Sequence, residues 1–215
     1  MSLDKLLTRA VEFWGDAIQI WTDGGWAMIV IALISLAMFS IGFQVLWKLF
    51  SKGFGSVPEH VWRRWIDNPA ERKGPIGKIL DFTTSGTSLK HMGVLFDQVR
   101  RAELVPFDRD LLVMRICVGA APLVGLLGTV TGMLATFGAL ASGAGGQKTM
   151  DLVASGISEA LITTETGLVI ALPGLFFQYQ LARKHQKYKA FLAHMEVVCS
   201  QSLHRRLLRR NTIAA

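Results

Sequence analysis

The chain has 215 residues, of which 51% are hydrophobic and 18% charged, with a formal net charge of +7 and a mean hydropathy of +0.37. Ordinary soluble domains are less apolar and more charged. The apolar residues also gather into long uncharged runs, which excludes a water-soluble domain and points to an all-α integral membrane protein.

Residues 1–23 come first. Leu3, Leu6, Leu7, Ala10, Trp14, Ala17, Ile18 and Trp21 share one helical face, with Lys5, Arg9, Glu12, Asp16 and Gln19 opposite. This spacing predicts an amphipathic helix over residues 3–21, lying in the membrane–water interface on the outer side with Trp14, Trp21 and Trp26. No cleavable signal sequence is expected, because the first apolar run is too long and lacks a basic segment directly before it.

Residues 24–47 form the first predicted span, free of charge and made of large apolar side chains that suit contact with lipid. Residues 48–115 are too polar to span. Turn signals stand at Gly53, Gly55, Pro58, Pro69, Gly74-Pro75 and Ser85-Gly86. A short helix is expected at Val61–Ile66 and another at Ser88–Glu103. Pro106 is expected to break the chain before a helix that runs from Phe107 into the second span, residues 116–141. A short loop on the outer side, residues 142–151, precedes the third span, residues 152–182. Residues 183–215 read as a helical extension of that span, with Phe191, Met195, Val198, Ser202 and Leu203 as an apolar seam and fraying past Leu208.

Charge placement orients the three spans. Residues 1–23 carry two basic and four acidic side chains, residues 48–115 twelve and eight, and residues 183–215 eight and one. Lys48, Lys52, Arg115, Arg183 and Lys184 stand at span ends. The positive-inside rule places the N-terminus outside and the long loop and tail in the cytoplasm. The net charge therefore argues for a membrane surface, not for nucleic acid as a partner. Cys117 and Cys199 lack metal-ligand spacing and read as packing residues, and the five histidines show no ligating pattern. The loop holds no catalytic motif, so an enzyme is not expected.

The second and third spans differ in kind from the first. Gly125, Gly128 and Gly132 strip side chains from part of the second span, and Gly128-x-x-x-Gly132 lets backbones approach closely. Gly167 extends the small-residue packing positions to the third span, and Pro173 is expected to kink it. Thr129 and Thr131 place hydroxyls at mid-span, either for a pathway or bonded back to their own helix. The third span carries Glu159, Thr163, Thr164, Glu165 and Thr166 on more than one face. A charge at mid-bilayer costs on the order of 2.5–3.5 kcal/mol on insertion scales, so such groups face protein or water. Two roles are open for the glutamates: an interhelical contact that holds an oligomer, or a proton- or ion-linked site. One chain of three spans cannot enclose a helix that is polar all round, so a homo-oligomer is expected.

At these residues the sequence resembles the MotA/TolQ/ExbB proton-channel family. The matching stretches are 121–130, from Ala121-Pro122 to Thr129-Val130, and 155–161, from Ser155-Gly156 to Ala160-Leu161, followed by Thr164, Gly167-Leu168 and Ala171-Leu172-Pro173. Three spans match the ExbB/TolQ branch, because MotA-type stators have four. The run Thr163-Thr164-Glu165-Thr166-Gly167 looks most like ExbB of auxiliary TonB systems. The resemblance implies a bacterial inner-membrane ring, typically a pentamer, around a dimer of an ExbD-like single-span partner. It implies a TonB-like protein that receives the work, protons as the coupling ion and no other cofactor. By motif match, Thr129 and Thr164 would line the ion path, Glu159 would be the functional glutamate, and Thr131, Thr163 and the additional Glu165 would lie along the same path. A TolQ-like role in envelope integrity and a non-conducting scaffold are the competing expectations.

Overall fold

The structure is a computed structural model. It describes residues 15, 21, 24–53, 57–86, 88–141 and 146–214, the last five by backbone alone. The predicted amphipathic helix of residues 3–21, apart from Gly15 and Trp21, and much of the predicted loop 142–151 lie outside the described residues.

Among the described residues every regular element is helical. Helix α1 spans Gly25–Ser51. It ends where Gly53 takes φ +61°, a left-handed conformation that closes a helix end without a Cβ clash. Helix α2, Glu59–Asp67, follows Pro58 and buries Trp62, Trp65 and Ile66 at helical spacing. A single 3-10 turn, Pro69–Glu71, leads to helix α3, Gly74–Thr84, with a proline in its first turn where no N–H is missed. Helix α4 is Leu89–Ala141 and helix α5 is Gln147–Ala214. Three helices are long and apolar enough to cross a membrane: α1, α4 and the stretch of α5 to Arg209. The protein is an all-α, multi-pass membrane protein.

One expectation about a helix end is corrected. Pro106 does not break the chain: α4 is continuous from Leu89, through the proline, to Ala141. Phe107, next to the proline, and Leu104, two residues before it, are each 3% exposed, and their packing holds both flanking turns against the cost of a proline in a helix interior. In α5, helical backbone reaches Ala214. Pro173 likewise lies inside α5 without ending it.

The chain divides into two compact units. One comprises the described residues up to Ser40 with Val113–Phe177. The other comprises Ile41–Leu112 and the chain from Gln178 onward.

The second, more polar unit has a core of Val45, Leu49, Trp62, Leu80, Phe96, Phe107, Leu181, Tyr188 and Met195. Trp62 meets Phe191 edge-on at 6.0 Å and the His194 ring at 5.7 Å. Arg72 ties α2 to α3. Its side chain is 6% exposed, and it donates to the Trp65 carbonyl at 2.8 Å, to Asp81 at 2.7 Å and to the Thr84 hydroxyl at 2.9 Å. Lys52 pairs with Glu103 at 2.5 Å, and Arg206 reaches the Ile66 carbonyl and Asp67. Cys199 is buried, and burial pushes its thiol up to about 12, so it stays protonated and packs as an apolar group.

His185 is 1% exposed, stacked obliquely on Phe107, with Nδ1 3.5 Å from Asp108. Its Nε2 has no hydrogen-bond partner among the described residues. Burial lowers its affinity for a proton below the ordinary value of 6.5, against the opposing pull of Asp108. A lowered folded value means that the unfolded chain binds more protons, so stability falls as the pH drops below about 6.5. The polar unit should therefore lose hydrogen-exchange protection on acidification from pH 7 to 5, and His185→Gln should flatten that dependence. Arg72→Met should cost about 2–3 kcal/mol, the scale of lost hydrogen bonds from a charged donor that orders a buried carbonyl, and open α2–α3 first to limited proteolysis.

Candidate functional site

The other unit is built on close contact between α4 and α5. On α5 a stripe of small residues is buried: Gly156, Ala160, Thr163, Gly167 and Ala171. The spacing is four, three, four and four residues, one face of an α-helix. Opposite them on α4 stand Ala121, Gly125, Gly128, Gly132 and Thr136, all buried. A Cβ on Gly125 would lie 2.8 Å from the Thr163 carbonyl oxygen, and one on Gly132 would lie 2.7 Å from the Gly156 carbonyl oxygen. At Gly167 it would meet the Ala121 carbonyl oxygen at 2.8 Å. Backbone therefore faces backbone along the seam, closer than any side chain permits. In lipid this is the source of helix association, because apolar surface alone gives no preference for protein over acyl chains.

The threonines divide by partner. Thr163 is 0% exposed and fills the notch left by Gly128. Its hydroxyl donates to the Glu159 and Ala160 carbonyls of its own helix. Within this chain it belongs to the α4–α5 contact, facing Gly128. Thr129 and Thr131 donate to carbonyls of their own helix, Thr129 to Leu126 at 2.6 Å and Thr131 to Gly128 at 3.0 Å, and both are half-buried. Thr164 differs. Its hydroxyl donates across the seam to the Gly125 carbonyl at 3.1 Å, as well as to Ala160 at 3.3 Å, and it remains half-buried.

The two glutamates are not brought together. Glu159 is half-buried and directed at Gly25, the first residue of α1. Glu165 is exposed, one helical turn from Leu161, Leu168 and Val169, which are 65%, 50% and 60% exposed. A carboxylate set in a bare leucine-rich stripe is tolerable in a membrane only when further protein or water covers that stripe. Burial within the chain reaches just 22%, 28% and 28% of the most apolar windows of α1, α4 and α5, so most of each span meets something other than this chain. Helix α1 packs on α5 where Met38 lies against Gly174 and where Phe39 stacks with Phe177 at 6.4 Å.

Sequence reasoning overlooked Gly156, Ala160 and Thr136 as seam residues. The signal was present: Gly156-x-x-x-Ala160 repeats on α5 the small-residue spacing read on α4. It also overlooked Gly25, for which no periodicity gives a signal.

With this arrangement established, comparison with known proteins gives the class. A profile of the MotA/TolQ/ExbB proton channel family matches residues 83–194. The chain belongs to the MotA/TolQ/ExbB proton channel family. Among its relatives is the putative biopolymer transport protein ExbB-like 1 of Synechocystis sp., 41% identical over 93 residues, which are 42% of this chain and 37% of the relative. The biopolymer transport protein ExbB of Xanthomonas campestris pv. campestris is 52% identical over 61 residues, 27% of this chain and 23% of that one. The Tol-Pal system protein TolQ of Haemophilus influenzae is 39% identical over 80 residues, 37% of this chain and 34% of that one. The chain spans less than half of the length of each of these relatives.

The seam makes an asymmetric prediction. A Cβ on Gly156 would overlap mainly Thr136 Cγ2, a side-chain methyl, at 2.5 Å, whereas one on Gly132 meets a backbone carbonyl. Gly156→Ala and Gly132→Ala should each destabilise the purified protein by about 1–3 kcal/mol. Adding Thr136→Ser should recover most of the first loss and none of the second, as read from thermal unfolding in detergent.

Proposed function

We propose that this chain is an ExbB-like subunit of an inner-membrane, proton-driven motor that acts with an ExbD-like partner to energise TonB-dependent uptake across the outer membrane. The observation that carries this reading is the position of Thr164. It is the one threonine of the candidate set whose hydroxyl bridges α4 and α5, and it sits at the family's motif position with Thr129 on the facing helix. Membership of a proton channel family and relatives named as biopolymer transport proteins support it. The exposed stripe around Glu165 supports assembly of several copies into a ring, five by resemblance, since sister chains would cover it.

In this mechanism the chain lies in the inner membrane with its N-terminus periplasmic and its long loop and tail cytoplasmic. Thr129 and Thr164 hydroxyls line the ring interior and hydrogen-bond a membrane aspartate of the single-span partner in turn. A proton on that aspartate removes its charge and the cost of moving it through an apolar interior. Its release to the cytoplasm docks the aspartate again. Each elementary charge crossing the membrane releases about 2.3 kcal/mol per 100 mV, and the ring and its core move relative to each other. A TonB-like protein carries that work outward. The match to a Tol-Pal protein sustains a second reading, a TolQ-like motor for envelope integrity.

Thr164→Val should abolish energised uptake in cells that depend on this chain while the complex still assembles, and Thr164→Ser should retain uptake. Uptake that survives Thr164→Val counts against the pathway. Detergent sensitivity of a deletion strain with intact TonB-dependent uptake selects the TolQ-like alternative.

A further inference from the structure

The start of α1 has two features that the α4–α5 seam does not require. Gly25 is the first residue of the helix and has φ +60°, a conformation that L side chains rarely adopt. A Cβ there would overlap Glu159 Oε1 and stand 2.7 Å from Glu159 Cδ. At the preceding Gly24 a Cβ would come within 3.3 Å of Ile162 Cγ2. The amino end of α1 thus rests on one turn of α5, from Glu159 to Ile162, and the carboxylate fills the space that a side chain at position 25 would take.

Physical chemistry gives this contact a sign. The first turn of a helix holds N–H groups without helical acceptors and carries about half a positive charge, so it attracts an ionised carboxylate and has less hold on a neutral one. Competing charges are few. Residues 25–47 of α1 contain no ionisable side chain, and residues 116–141 of α4 contain only Cys117. On α5 the nearest acids in sequence are Asp151, eight residues before Glu159, and Glu165, on another face. Asp23 lies outside the described residues.

We propose that Glu159 is the dock for the amino end of α1, and that Gly25 is a positioning residue that keeps room for its carboxylate, so that removing the negative charge loosens α1 from α5. This adds a role for the glutamate distinct from lining a path.

The experiment uses the full chain in native membrane vesicles, with Cys117 and Cys199 replaced by serine and cysteines introduced by Gly24→Cys and Ile162→Cys. A short bis-maleimide should link the two positions efficiently. Glu159→Gln, the same size without the charge, should lower the yield at least threefold. Gly25→Ala should do the same, and Gly25→Ala with Glu159→Asp, which shortens the acid by one methylene, should restore most of it. Alanine at a positive φ is equally strained in the single and the double variant, so the recovery reports only the relieved overlap. Unchanged yields in Glu159→Gln, or no recovery in the double variant, overturn the proposal. If Gly25→Ala fails to insert, the Glu159→Gln comparison decides alone. Cross-linking needs no proton movement, so failure of the Thr164 series leaves the dock standing, and loss of the dock leaves the Thr164 result intact.

Discussion

The membrane part of this protein depends on contact between backbones. Along α4 and α5, Gly125, Gly128, Gly132, Gly156 and Gly167 leave gaps that the facing helix fills with carbonyl oxygens, the Thr163 side chain, the Ala160 methyl or the Thr136 methyl. A bilayer offers leucine and valine side chains as good a solvent as a neighbouring helix does. Close approach, dispersion and a few hydrogen bonds must therefore hold the spans together. The large side chains that would hold a soluble core, such as Leu161, Leu172 and Phe176, lie outside the seam and exposed.

That seam also sets where polar chemistry falls. Thr163 is spent on filling the space at Gly128, while Thr164, the next residue, turns its hydroxyl across to Gly125. A single step along the helix moves a side chain by 100° and separates a packing hydroxyl from one at the edge of the contact. Glu159 and Glu165 diverge for the same reason. The first is directed at the amino end of α1, and the second lies in an apolar stripe that this chain leaves uncovered. The half outside the seam follows soluble rules instead: Trp62, Phe107 and Tyr188 bury large aromatic surface, and ion pairs such as Lys52–Glu103 surround them.

Much of the architecture was legible in the sequence. Three uncharged or nearly uncharged runs marked the spans, and the turn signals at Gly53, Pro58, Pro69, Gly74 and Ser85 coincide with helix ends. The family resemblance was carried by motifs around Gly128 and Glu159 and holds over residues 83–194. Pro106 misled because a local rule about proline weighs one lost hydrogen bond and one clash, whereas Leu104 and Phe107 supply burial from distant parts of the chain. That Thr163 meets Gly128 could not be read from the helical wheel, which ranks polarity by face and carries no information on which face meets a glycine.

The sequence alone determined what kind of solvent each segment needs, since length, charge and small-residue spacing are local properties of the chain. It also identified the helices that would make close contact. Only the tertiary structure decided which hydroxyl bridges two helices, which fills a notch, and which carboxylate meets Gly25. Those outcomes depend on the rotation and axial offset of one helix against another, fixed by the summed contacts of residues more than thirty positions apart, such as Gly125 with Thr164 and Gly25 with Glu159.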